Sequence, residues 1–173
     1  MKIAVFDVCD TLYNVNTTFR FLDSYFSENS KYLFFRKISK LFPIKVLNFF
    51  VYKMFKKDVI RSYGTSFLKG KNVEEIQQYS QVFVCTDLVS EIKDVTVSMM
   101  QNYRDNGYKI VLMSGSYAFI IQEVAAYFST DSFYASKLNI SNGSYTGKYD
   151  EDILLDKYEL LKKEFKEIDE LIV

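Results

Sequence analysis

Asp7 follows Lys2–Phe6 (KIAVF), a β-branched and aromatic run that predicts a buried strand. A carboxylate at the end of such a strand is partly desolvated and held by rigid backbone. It can act as a nucleophile if a cation neutralises the group it attacks. Ser114 and Gly115 follow a second apolar run, Lys109–Met113 (KIVLM), and precede a predicted helix from Tyr117 to about Phe128. A hydroxyl and free N–H groups at a helix N-terminus suit an anion, and Gly115 lets the backbone come close to a phosphoryl group. Lys157 opens a predicted amphipathic helix, Asp156–Lys166, where an ammonium could balance both carboxylate and phosphoryl oxygens. Each has a plainer reading alone: a turn at Asp7 with Thr11 capping the next helix, a strand-to-helix turn capped by Ser116, a lysine on a wet helix face.

The elements that must position these groups alternate between apolar strands and amphipathic helices, which indicates an α/β fold with a parallel sheet. Functional groups then belong just past the carboxyl ends of the strands, where Asp7 and Ser114 lie. Between the first two strands the sequence predicts a helix over 16–28, started by Asn16 or Thr17. Helix-rich sequence follows over 31–56, broken at Pro43. A loop is expected around Gly64 and Gly70, then a helix from Glu74 to about Val84 and a long helix from Leu88 to Asn106 stopped by Gly107. After the helix that begins near Tyr117, Phe133–Ala135 is a short strand candidate. Lys137–Ile140 and Ser144–Lys148 flank Asn142-Gly143, the strongest two-residue hairpin signal in the chain. Glu170–Val173 begins a further core strand.

The 173 residues suit one domain, or one with a small insertion, and 49% apolar with 25% charged residues is ordinary for a folded protein. Histidine is absent, which removes histidine bases, triads, metal ligands and pH switches. Two cysteines, Cys9 and Cys85, suit a reducing compartment. The N-terminal apolar stretch is too short for a secretory signal, and no uninterrupted apolar run is long enough to span a bilayer. The expected location is cytoplasmic. The zero net charge argues against a nucleic-acid partner.

In order, strand–Asp7, strand–Ser114-Gly115, hairpin and helix–Lys157 resemble the haloacid dehalogenase (HAD) superfamily, in its phosphoserine-phosphatase-like branch with a helical cap. FDVCDTL resembles the first motif, IVLMSGSYAFIIQEVAAYF the second, and LNISNGSYTGKYDEDILLDKYELL the hairpin and the lysine of the third. The resemblance covers nearly the whole chain. It implies a HAD-like α/β core at 1–13 and 87–173, with residues 14–86 as an inserted α-helical cap. It also implies hydrolysis of a small phosphomonoester through an aspartyl-phosphate on Asp7. Thr11, Ser114 and Gly115 would hold phosphoryl oxygens, Lys157 would offset negative charge, and Mg²⁺ would sit on Asp7 and the Cys9 backbone carbonyl.

Two departures stand out. The family's second motif-one Asp, a general acid, is here Cys9, and Asp10 is the adjacent carboxylate that a backbone twist could bring in. The family's fourth motif is a strand ending in an acidic cluster that completes the magnesium shell. The sequence ends at Val173, within the apparent start of that strand, so fewer protein ligands and an open sheet edge are expected, as for a fragment or a natural truncation. The alternatives are a catalytically silent binding or membrane-associating domain, or HAD chemistry without magnesium.

Charge is uneven along the chain. Lys31–Lys57 carries eight cations (Lys31, Arg36, Lys37, Lys40, Lys45, Lys53, Lys56, Lys57), no acid, and eight Phe or Tyr residues. Such a segment suits an anionic, partly apolar substrate or a peripheral place on an anionic membrane surface. The plainer reading puts the aromatic residues in the cap's own core and the lysines on its wet face.

Overall fold

The computed structural model describes residues 2–165 and 170–172. Strand β1 (Lys2–Phe6) is followed by five helices: α1 (Thr17–Tyr25), α2 (Ser30–Ser39), α3 (Phe42–Phe55), α4 (Val59–Ser66) and α5 (Val73–Thr86). A short 3-10 turn at Val89–Glu91 leads to α6 (Asp94–Asp105), β2 (Lys109–Tyr117), α7 (Ala118–Tyr127), β3 (Ser132–Ser141), β4 (Ser144–Glu151), α8 (Lys157–Glu164) and β5 (Glu170–Ile172).

The sheet has the order β4-β3-β2-β1-β5, so β5 lies at one end. The pairs β3–β2, β2–β1 and β1–β5 are parallel, and the β3–β4 hairpin is antiparallel. This is the expected α/β arrangement with a parallel-dominated sheet. β1 and β2 are buried along nearly their whole length, which is why they read as continuous apolar runs and not as alternating ones. Asn142 (φ 50°) and Gly143 (φ 72°) form the tight hairpin turn that the sequence signals.

Four sequence expectations need correction. Gly64 lies inside α4, not in a loop. Asp58 caps that helix through the Arg61 N–H, and an added Cβ at Gly64 would stand 3.3 Å from Leu22 Cδ1, so the glycine serves close packing. The stretch 88–106 is not one helix, because Ile92 and Lys93 turn extended between the 3-10 turn and α6. Phe133–Ala135 and Lys137–Ile140 belong to one strand, β3. β2 also runs on past Met113 to Tyr117, so Ser116 does not cap α7. Of the helix predicted over Asp156–Lys166, Lys157–Glu164 is helical; Lys166 is outside the described residues. Asp156 sits at its N-cap position without a side-chain capping bond.

The larger core lies between the sheet and the helices from α1 to α7. Its aromatic centre is Phe21 on α1, fully buried, with ring centroids 5.3 Å from Phe83 on α5 and 5.1 Å from Phe119 on α7. A smaller cluster of Ile3, Val5, Val111, Met113 and Ile153 fills the opposite face beneath α8. Because Phe21 joins the helices between β1 and β2 to α7, Phe21→Ala should cost about 3–5 kcal/mol. Urea unfolding followed by circular dichroism checks this, and a loss below about 1 kcal/mol would contradict that role.

Candidate active site

The parallel strands deliver their carboxyl ends to one cleft of about 340 Å³, lined among others by Asp7, Cys9, Ser114, Gly115, Ser116 and Lys157. Asp7 is the residue after β1. One carboxylate oxygen accepts from the Val8 N–H (2.7 Å) and the other lies 2.7 Å from the Lys157 ammonium. Lys157 is the first residue of α8, 150 positions away in sequence, and its side chain is 26% exposed against 41% for Asp7. At that exposure an ion pair contributes about 0–1 kcal/mol. Its consequence is orientation: one carboxylate oxygen is tied to backbone and the other to a cation.

Ser114 is fully buried near the end of β2, and its hydroxyl oxygen accepts the Ser116 N–H at 3.2 Å. Ser116 Oγ accepts two hydroxyl protons, from Thr17 at 2.9 Å and Thr18 at 3.0 Å. Among the described residues the Ser116 proton has no acceptor, so it is available to an oxygen in the cleft. Thr17 has spent its only proton on Ser116. At the 3.1 Å contact between Cys9 Sγ and Thr17 Oγ1, the thiol is therefore the donor. Cys9 Sγ also lies 3.9 Å from Ser114 Oγ.

Gly115 lines the cleft and also serves close packing. A Cβ there would meet Leu154 Cδ1 at 2.6 Å and Leu154 Cα at 3.1 Å, so its missing side chain is filled by the chain leading into α8. Asp10 and Thr11 are not brought to the cleft lining. Asp10 is exposed with a left-handed φ of 57°, and its carbonyl accepts from the Lys93 ammonium. The Leu12 and Tyr13 N–H groups both donate to the Val8 carbonyl, which curls the chain there. The Thr11 carbonyl accepts from Thr96 Oγ1 at 2.7 Å. The backbone twist that would make Asp10 an acid thus exists, but it turns the residue to solvent.

Sequence reasoning missed Arg61, a buried residue of α4 that also lines the cleft. Its guanidinium donates to both Asp152 oxygens (2.8 and 2.7 Å) and to the Gly115 carbonyl, and lies 4.3 Å from the Tyr149 ring centre. Burial by itself pushes Arg61 down, but Tyr149 and the Asp152 carboxylate more than reverse this and hold it above its ordinary value. Ser136 donates to Asp152 and accepts the Ile153 N–H, completing a polar strut behind Gly115. An arginine three residues after a capping aspartate reads as an ordinary wet helix face, and nothing in the sequence ties it to Asp152. Ser116 was read only as a possible cap.

Magnesium asks for near-octahedral oxygen coordination and is usually held by one or two carboxylates, with waters and phosphate oxygens. Asp7 and Cys9, which the resemblance places on the metal, both line the cleft. Among the described residues no group of three acidic, cysteine or histidine residues could hold a metal ion. With one carboxylate from the described residues, the other ligands of a bound magnesium would be waters and phosphate oxygens.

The sequence matches the haloacid dehalogenase-like hydrolase family over residues 4–169. No curated protein matches it. Among solved structures, a protein of unknown function from Bordetella pertussis Tohama I is 15% identical with a TM-score of 0.66, covering 86% of this chain and 66% of its own. A phospho-aspartyl intermediate analogue of phosphoserine phosphatase is 18% identical with a TM-score of 0.63, covering 95% and 71%. A substrate-bound phosphoserine phosphatase is 18% identical with a TM-score of 0.64, covering 95% and 70%. The chain thus spans about two thirds of the length of the structures it resembles, and at these identities the likeness is one of fold.

Gly115→Ala should lower stability by about 1–3 kcal/mol, since the Leu154 backbone cannot yield as a side-chain tip can. The loss appears as a fall in thermal midpoint; an unchanged midpoint would contradict the packing role.

Proposed function

The chain belongs to the haloacid dehalogenase-like hydrolase family, and from that premise we propose that it hydrolyses a small phosphomonoester with Asp7 as nucleophile. The observation that carries the reading is the 2.7 Å contact of Asp7 and Lys157 in the cleft that Ser114 and Ser116 also line. A phosphoryl group entering this cleft brings negative charge toward a carboxylate. The Lys157 ammonium offsets the repulsion, and the serine hydroxyls donate to phosphoryl oxygens. The Val8 N–H holds one Asp7 oxygen, leaving the carboxylate oriented for in-line attack. An Asp7 oxygen forms the new bond to phosphorus while the ester P–O bond breaks and its electron pair leaves on the alcohol oxygen. Water then attacks phosphorus in the acyl phosphate, releasing inorganic phosphate and restoring the Asp7 carboxylate. One of the similar structures carries a phospho-aspartyl analogue, which supports this sequence of steps.

The proton on the leaving alcohol is the weak point of the machinery. At the position of the family's second aspartate stands Cys9, whose proton already goes to Thr17. Substrates whose leaving oxygen needs no proton, such as aryl or acyl phosphates, are therefore favoured over alkyl phosphates. A positioned general acid contributes typically 10²–10⁴-fold.

Asp7→Asn should reduce aryl phosphate turnover by on the order of 10⁴-fold. Equal turnover by both proteins would remove Asp7 from the chemistry. Cys9→Asp should raise kcat on an alkyl phosphate by roughly 10²-fold while changing an aryl phosphate far less. The ratio of the two substrates in steady-state assays measures it, and an equal change on both would contradict the leaving-group account.

A further inference from the structure

Helix α3 does not behave like a helix of a globular protein. Its sequence, FPIKVLNFFVYKMF, is dominated by apolar residues, yet none of its side chains is buried. Phe42, Leu47, Phe50, Met54 and Phe55 are all more than half exposed to solvent. The expectation that these rings form the core of the helical insertion fails for α3: Tyr32 meets Phe67 edge-on and Phe35 stacks with it, whereas Phe42, Phe50 and Phe55 of α3 are exposed. What ties α3 down is polar. Asn48 accepts from the Val59 and Ile60 N–H groups and donates to Asp58, the cap of α4.

The α2–α3 segment carries charge of one sign. Between Lys31 and Lys57 there are eight cations and no acid, and among the described residues only Arg36 of these has an ion-pair partner, Asp23. Lys40, Lys53, Lys56 and Lys57 stand exposed at the ends of α3. Beside it, α2, α3 and α4 enclose a groove of about 710 Å³ lined by Phe34, Phe35, Ile38, Ile44 and Tyr63. An exposed apolar helix flanked by unpaired lysines fits the boundary between anionic headgroups and acyl chains, where rings are immersed and ammonium groups meet phosphates. At 14 residues α3 is roughly 21 Å long, shorter than a bilayer's hydrocarbon core, and no described helix is long and apolar enough to cross a membrane.

We propose that the α2–α3 face docks on an anionic lipid bilayer, with α3 lying in the plane of the interface. An aqueous nucleic acid would use the lysines but leave the rings in water; an apolar peptide would use the rings but leave the cations unmatched. The lipid surface satisfies both. Lys45, Asn48, Phe49 and Tyr52 of the same helix line the cleft, so docking brings the cleft close to the membrane surface. The proposal does not depend on the hydrolytic reading, because its readout is binding.

Co-flotation of the full chain with phosphatidylcholine vesicles, with and without phosphatidylserine, tests it at low and high salt. Binding should require phosphatidylserine and weaken as salt rises. Lys40→Glu/Lys53→Glu/Lys57→Glu should lower partitioning by roughly a hundredfold. Phe50→Ser/Met54→Ser should also release the protein, although these exposed positions leave circular dichroism and thermal midpoint unchanged. No binding, equal binding to neutral vesicles, or parental binding by both variants would overturn the proposal. So would a self-association broken by the same variants in a protein that ignores vesicles.

Discussion

A carboxylate proposed to receive a phosphoryl group must face an anion, and α8 sets one cation beside it. Asp7 leaves the end of β1 with one oxygen on backbone, and α8 starts by placing Lys157 2.7 Å from the other. The pair adds little stability at its exposure. Its position has to be secured elsewhere, and much of the molecule can be understood as doing that.

Leu154 enters the space where Gly115 lacks a side chain, which sets the approach to α8 directly against β2. Asp152, two residues earlier, is clamped by Arg61 from α4 and by Ser136 from β3. Thr17 and Thr18 at the start of α1 donate to Ser116. The helices between β1 and β2 are thus bonded to the second strand at both Gly115 and Ser116. A buried arginine is costly to desolvate unless it is fully partnered, and here it has a carboxylate, a carbonyl and an aromatic face.

Much of this was legible in the sequence, because continuous apolar runs mark buried parallel strands and Asn142-Gly143 marks a turn that few other dipeptides can make. Asp7, Ser114 and Lys157 were legible for the same reason: each stands just after a strand or just inside a helix, where topology delivers polar groups. Distant pairings were not. Arg61 with Asp152 depends on tertiary placement alone, and Gly64 inside α4 reflects a close approach of Leu22 that no local pattern announces. Asp10 and Thr11 follow Asp7 closely in sequence, yet the turn at the Val8 carbonyl sets both outside the cleft lining. The rings of α3 were assigned to a core by composition, which carries no information on which side of a helix finds a partner.

The proposed hydrolysis passes through covalent phosphorylation of Asp7. Incubation with an acyl phosphate, quenching with borohydride to reduce the acyl phosphate to an alcohol, and peptide mass mapping tests it without reliance on turnover. Conversion of Asp7 to homoserine, dependent on the phosphate donor, is the expected outcome. Reduction at another carboxylate, or none at Asp7 under conditions where phosphate is released, would contradict it.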